Sequence, residues 1–373
     1  MKKTISFTLA VIMLLTLGLT SCTESGTATD TSEAVTTVPE EESLESSSVT
    51  SENNSVSTAE SETEKPSGGD STDIDGNLDI NVMVLNGSTG FGMAQLIDKN
   101  ANGLTLLNYN FTIEKDPSNV ASALVNGTAD IAALPTNDAA NLFNKSGDVQ
   151  LLAVNTLGVL YLVTGDGVTV NSFADLEGKT VYCPAQNPTF IFSYLCKENG
   201  LVEGKNITID NTYTAPADLS AALTSGTVDI AVIPEPMLTN AQNKNSSLNV
   251  ALDLTAEWNK VAPADTLMQG CVVVRKEFAS AHPDEIALFL SEYATSVAFV
   301  KANPASAGKM IEARKLFSSG TVAANAIPKC NLCFISGEDM KPSLDEFYKI
   351  LYDIAPQSIG NAIPSADFYY VSK

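Results

Sequence analysis

With 373 residues, this chain has a single histidine, a single tryptophan and 21 basic side chains against 44 acidic ones. The missing chemistry narrows function first. His282 stands beside Pro283 with no partner motif around it, and neither Gly-x-Ser-x-Gly nor His-Glu-x-x-His occurs. Catalysis is therefore not expected. Gly87-x-x-Gly90-x-Gly92 is neither a dinucleotide fingerprint nor a P-loop, and it lacks the P-loop lysine, so no cofactor is expected. A formal net charge of −23 repels phosphates and argues against a nucleic-acid partner. Beyond the first stretch, no apolar run is long enough to cross a membrane.

What is present begins with a targeting pattern. Lys2-Lys3 precede an apolar run from Phe7 to Leu19, which closes in Leu19-Thr-Ser-Cys22. This resembles the bacterial lipoprotein signal, so residues 1–22 are expected to be a signal with Cys22 as the lipid-bearing residue. The protein would then be anchored at the extracytoplasmic face of the cell membrane without spanning it. Residues 23–77 are rich in Ser, Thr and Glu, hold no aromatic residue, and set fourteen acids against Lys65 alone. Such a composition cannot bury enough apolar surface to offset chain entropy, and a disordered tether is expected.

Five cysteines remain: Cys183, Cys196, Cys271, Cys330 and Cys333. The odd count leaves at least one thiol free within one chain. Cys330-Asn-Leu-Cys333 has metal or redox spacing, but without a second pair a local disulfide or plain buried thiols outweigh a zinc site.

The folded part is organised around a repeated phrase. Ala123–Pro135 and Ala222–Pro234 share the frame Ala-Leu-x-x-Gly-Thr-x-Asp-Ile-Ala-x-x-Pro. Each copy reads as a helix end, a glycine at positive φ, and a buried strand closed by proline. Asp130 and Asp229 hold equivalent places and are expected to fix the turn between helix and strand. Around the first copy, strands over 78–85, 108–113, 131–134 and 150–155 alternate with helices over 94–100 and 139–143, and a helix capped by Ser118. Around the second, strands begin at Lys179, Val228, Val250 and Cys271, with helices over 190–197 and 217–225. Strands alternating with crossover helices predict two α/β lobes on largely parallel sheets. Beyond Pro283 the chain reads as helical. Ile286, Phe289, Leu290, Tyr293 and Val297 form one core-facing stripe, and Leu344, Phe347, Tyr348 and Leu351 another. Phe368 to Tyr370 read as packing of the last segment.

In order along the chain, the Cys22 signal, the acidic tether, the loop Asn86–Met93, the phrase Phe173–Val181 and the doubled Gly-Thr-x-Asp-Ile-Ala resemble one family. It is that of the solute-binding lipoproteins of ABC importers, in the nitrate, sulfonate, taurine and thiamine-pyrimidine-precursor (NMT1-like) group. The resemblance implies a type II periplasmic-binding-protein fold, two α/β lobes joined by a two-segment hinge near Thr156–Gly158 and Met268–Gly270. One lobe would be residues 78–157 and 271–373, the other 158–270. A monomer would close on a small organic solute and dock on ABC permease and ATPase subunits.

Carried over position by position, the resemblance places a cleft at four strand-end loops. Asn86, Ser88, Thr89 and Gly90, with Thr136 and Asn137, line it from the first lobe. Gln186, Asn187, Thr189 and Glu235 line it from the second. No arginine precedes Arg275, which speaks against a simple dianion, although helix N-termini can hold an anion without one. Glu235 is open to two readings, a cleft carboxylate for a cationic solute or a solvated surface acid. Trp258 and Tyr213 could stack on a heteroaromatic ring or sit in the core. Alternatives to transport are an enzyme of the same fold, in thiamine-pyrimidine or menaquinone precursor synthesis, and a ligand-sensing surface module.

Overall fold

A computed structural model of the protein describes residues 78–371. The signal, Cys22 and the acidic stretch at 23–77 lie outside the described residues.

Eleven strands and thirteen helices follow in order among the described residues. They are β1 (Asp79–Leu85), α1 (Ser88–Phe91), α2 (Ala94–Ala101), β2 (Asn108–Glu114), α3 (Pro117–Val125), β3 (Ile131–Pro135), α4 (Thr136–Ser146), β4 (Val149–Thr156), β5 (Leu160–Thr164), β6 (Thr180–Tyr182), α5 (Asn187–Glu198) and β7 (Thr208–Asp210). Then come α6 (Pro216–Thr224), β8 (Ile230–Pro234), α7 (Met237–Lys244), β9 (Asn249–Asp253), α8 (Leu254–Val261), β10 (Gly270–Arg275), α9 (Lys276–Ala281), α10 (Pro283–Ala302), α11 (Pro304–Ala313), α12 (Gly320–Ala326), β11 (Leu332–Ser336) and α13 (Lys341–Ile354).

The strands form two sheets, in the order β11-β4-β10-β3-β1-β2 and β7-β6-β8-β5-β9. Apart from β11 the orders match strand for strand, and the two copies of the repeat supply β3 and β8, the same place in each. Both are continuous apolar runs because both sheet faces are covered. Gly127 and Gly226 carry φ of 75° and 72°, the left-handed turn the frame needs where a Cβ would be strained.

Each sheet is parallel except where the chain has just crossed from the other. β5 runs antiparallel to β8 and β9, and β10 antiparallel to β3 and β4. Both enter at the edge where the parallel strands end, so they must run the opposite way. β11 is a further antiparallel strand on β4.

The period-2 alternation of the strands sorts side chains into separate cores. Val82, Val84, Ile131, Ala133, Val272 and Val274 pack under α2, α10, α11 and α12. Tyr161, Val163, Ala231 and Ile233 pack under α6 and α7. The faces between are joined in one cluster that holds Leu134, Val273, Leu162 and Val232 together with α13. Within it Trp258 is fully buried, with ring centroids 4.9 Å from Tyr194 and 5.8 Å from Phe347. The α13 stripe at Leu344, Phe347, Tyr348 and Leu351 is buried throughout, as are Phe368, Tyr369 and Tyr370.

Local corrections have plain causes. Asp116, not Ser118, caps α3, because Pro117 takes the first helical position and the Asp116 side chain accepts from the Ser118 N–H. α4 begins three residues earlier than its apolar pattern suggests, at Thr136.

Candidate functional site

The crossings pass between the sheets at Leu157–Val159 and Met268–Gln269, and they are tightly bound. Gln269 donates its N–H to Thr156 O at 3.0 Å, and its side-chain oxygen accepts from Val159 N at 2.7 Å. Gly158 is required here: an added Cβ would lie 2.2 Å from Thr255 Oγ1 and 2.6 Å from a Leu267 methyl. A third connection comes from the turn after α12. Asn331 donates to Gly158 O, Asn331 O accepts from Leu157 N, and the Tyr161 hydroxyl donates to Lys329 O at 3.0 Å.

Strand ends from both sheets open onto this seam, and two cavities lie along it. The larger, about 880 Å³, is lined by Asn86, Ile113, Lys115, Arg314 and Lys315 on one side and by Ala217 and Met237 on the other. The smaller, about 420 Å³, lies between Asp116, Ser118, Asp138, Asn141 and Lys145 and the opposing Gln186.

Among the expected residues, Asn86 and Gln186 line these cavities. Ser88 and Thr89 are half-buried beside Asn86. Gly90 is a packing position, since a Cβ would meet Leu85 O at 2.4 Å. Thr136 is spent on the crossing: it is fully buried, its hydroxyl donates to Met268 O, and its own carbonyl accepts from the Tyr348 hydroxyl at 3.1 Å. Thr189 closes its own loop by donating to Pro184 O and accepting from Asn211 Nδ2, each at 2.7 Å. Asn137 and Asn187 are only 2% and 7% exposed. Each keeps a buried side-chain oxygen that meets no donor.

Glu235 matches neither of its two readings. It is 1% exposed, not a solvated acid, and its oxygens are already engaged within the protein. Oε2 accepts from Thr239 N at 3.1 Å, Oε1 accepts from Thr239 Oγ1 at 2.8 Å, and Lys329 Nζ stands 3.6 Å from Oε1. Burial raises its pKa, and the Thr239 and Lys329 contacts pull it partly back. Pro234 and the cis Glu235–Pro236 bond set the carboxylate at the start of α7, where Thr239 can reach it.

The side chain the sequence did not single out is Asp138. Desolvation lifts its pKa to about 6, against a smaller opposing effect from Asn137, whose Nδ2 donates to Asp138 Oδ1 at 2.9 Å. Its signal depends on where α4 begins. An acid one residue beyond the Thr136-Asn137 pair falls in the first turn of α4 once the helix is started at Thr136.

The remaining residues that the sequence singled out are structural, and for that reason their readings change. Asp130 does not fix the turn of its own repeat. It accepts from Asn81 N and Nδ2 and pairs with Arg275 at 2.8 Å, tying β1 and β10 to the start of β3. Asp229 is exposed, and its carbonyl accepts from Gly165 N. Trp258 donates Nε1–H to Thr266 Oγ1 at 2.9 Å inside the core, so its ring has no face free for a solute. Tyr213 packs against Tyr182, with ring centroids 6.1 Å apart. His282 ends α9 with its ring against Phe278. All five cysteines among the described residues are free thiols, so Cys330 and Cys333 form no disulfide. Among the described residues, no three His, Cys, Asp or Glu side chains gather as a metal site, and no helix is long and apolar enough to cross a membrane.

Residues 101–307 match the family model described as NMT1/THI5 like. No curated protein matches the chain. Among solved structures, an ABC transporter protein from Parabacteroides distasonis aligns at TM-score 0.68 with 22% identity, over 79% of this chain and 99% of that one. The periplasmic aliphatic sulphonate binding protein SsuA from Escherichia coli aligns at 0.62 with 14% identity, over 79% and 92%. The periplasmic nitrate-binding protein NrtA from Synechocystis aligns at 0.54 with 12% identity, over 78% and 83%. At these identities the likeness is one of fold: two α/β lobes of the type II periplasmic-binding-protein kind.

Proposed function

The chain belongs to the NMT1/THI5-like family, and from that membership and its fold we propose that it is the solute-binding component of an ABC importer. It captures a small organic solute between the two sheets and hands it to a membrane permease. Residues 78–157 with 271–373 act as one lobe and 158–270 as the other, hinged at the two crossings. The observation that carries this reading is a matched pair at the seam. Asn137 follows β3 and Asn187 follows β6, and each holds a buried oxygen that no protein donor satisfies. A buried acceptor without a partner costs about 1–3 kcal/mol, a cost that a bound solute removes.

The solute-facing set is then Asn86, Ser88, Thr89, Gln186 and Asn187, with Asn137 and Asp138. Gly90, Thr136, Thr189 and Glu235 shape the walls. The protein performs no chemistry on its solute. Anchoring through Cys22 and the stretch at 23–77 would hold it as a monomer within reach of the permease and its ATPase.

Native mass spectrometry of the protein as purified, followed by thermal melts with candidate solutes, tests this. A true solute at a hundredfold excess over Kd stabilises by about 2.7 kcal/mol. Turnover of a candidate by the purified protein, or no bound solute across broad screening, would overturn the reading.

A further inference from the structure

The seam cavity at Gln186 is lopsided in its hydrogen-bonding chemistry. Asp138 lines it from α4, and Asn137 and Asn187 flank its two sides in sequence, each next to a lining residue. One N–H of the Asn137 amide goes to Asp138 Oδ1, and its buried oxygen is an acceptor without a donor. Asn187 likewise buries an oxygen with no donor, on the opposite lobe. Ser118, Asn141, Gln186 and Lys145 also line the cavity and can donate, but the groups left without a partner, the buried oxygens of Asn137, Asn141 and Asn187 beside the Asp138 carboxylate, are all acceptors. A sulfonate, nitrate or carboxylate placed against Asp138 and those unmet oxygens would set acceptor against acceptor.

Resting on the solute-binding reading above, we propose that this corner takes a cationic nitrogen head group, an ammonium, amidinium or guanidinium, with Asp138 as the specificity-determining residue. Such groups carry only donors and a positive charge, and so complement the Asp138 carboxylate and unmet amide oxygens alike. The first turn of α4 opposes a cation through the helix dipole. A half-buried carboxylate in that same turn outweighs the half-charge of the helix end, because it is a full charge at the cavity wall.

The neighbouring charged groups do not already fulfil this role. Asp116 is held by the N–H of Ser118 as the cap of α3. Lys145, two turns along α4, is exposed at the rim of the cavity. Beneath α4 the Cys271 thiol is fully buried and its pKa is pushed up, which keeps it neutral. Arg314 and Lys315 line the other cavity, where Arg314 pairs with Asp98 at 2.9 Å.

The test uses matched probes on the mature protein at pH 7.5. Agmatine, putrescine and benzamidine form one series, and taurine, butanesulfonate and nitrate the other. At least one cation should raise Tm by several degrees while the anions leave it unchanged. Asp138→Asn, which keeps the size and the acceptor for Asn137, should weaken that cation at least tenfold while remaining folded. Lys145→Gln should not weaken it. Affinity of the wild type for an amidinium, which does not itself titrate in this range, should fall about tenfold from pH 7.5 to pH 5, and Asp138→Asn should lack this dependence. Binding of an anion without any cation would overturn the inference and leave the solute-binding reading standing. No binding from either series, with no solute in the purified protein, would overturn both.

Discussion

Glu235 and Lys329 meet across the seam at 3.6 Å, the acid fully buried in the second lobe and the amine half-exposed on the turn that follows α12. Ninety-four residues separate them in sequence. Together with Tyr161 to Lys329 O and Asn331 to Gly158 O, this pair forms a third fastening beside the two chain crossings.

Removing the amine should therefore cost more than an ordinary surface ion pair. Lys329→Gln leaves a desolvated carboxylate facing only Thr239, and we expect a loss of about 1–2 kcal/mol, between the exposed and buried limits for such pairs. The sign with pH follows from burial. A carboxylate whose folded pKa is raised loses stability as pH rises through that pKa, so the deficit of Lys329→Gln should be larger at pH 8 than at pH 5. Pairing it with Glu235→Gln should restore most of the loss. Urea unfolding of the four proteins of this cycle measures both; a double variant no better than Lys329→Gln would break the argument.

Asp138 supplies a stability prediction independent of any solute. Its folded pKa of about 6 lies above the ordinary 3.8, so ionising it costs folding free energy. The cost is complete above pH 6 and gone near pH 4. Asp138→Asn should stabilise the solute-free protein at pH 7.5 by up to about 3 kcal/mol, roughly two pKa units at 1.36 kcal/mol each. The two proteins should converge at pH 4. Urea midpoints at the two pH values decide it. A stabilising change that abolishes binding is the mark of a residue retained for function.

Asp138 and Glu235 also show where the sequence was readable and where it was not. The repeat put β3 and β8 in matching places because a continuous apolar strand after a positive-φ glycine is a local pattern. The strand-end place of Asn137 follows from the same pattern, whereas Gln186 and Asn187 enter as expected cleft residues only through the family resemblance. The start of α4 was not readable, because Thr136, Asn137 and Asp138 are poor helix formers and the helix rests on tertiary bonds to Met268 and Tyr348. Asp138 was lost with it. Glu235 stands out in the repeat but its partner does not, since nothing local connects position 235 to 329. The antiparallel β5 and β10 are likewise set by the crossings, not by their own residues.

Trp258 is the only tryptophan, and it sits in the cluster that runs through both lobes. Its emission should be blue-shifted in the folded protein and should move red in one step on unfolding. Trp258→Ala should cost about 3–5 kcal/mol, the range for deleting a fully buried large aromatic side chain. Solute binding should survive in whatever folded fraction remains, because the ring touches Tyr194, Phe347 and Thr266 and no cavity lining. Titration of folded Trp258→Phe with a solute of the wild type checks this, and a lost affinity would return the ring to the site.

The crossing glycine gives a prediction about motion. Gly158→Ala drives a methyl to 2.2 Å from Thr255 Oγ1 and 2.6 Å from Leu267, and neither neighbour is free to retreat, because Leu267 is buried and Thr255 lies in the first turn of α8. Overpacking of this kind costs about 1–3 kcal/mol. Relief comes by moving α8 and the 266–269 crossing away from Leu157–Val159, which is a displacement of one lobe edge relative to the hinge. Gly158→Ala should therefore weaken solute binding through slower closure or faster opening, while Gly204→Ala, on an open surface turn, should not. Stopped-flow binding with small-angle scattering separates the two effects. Unchanged dissociation kinetics and unchanged dimensions in Gly158→Ala would show that this crossing does not govern closure.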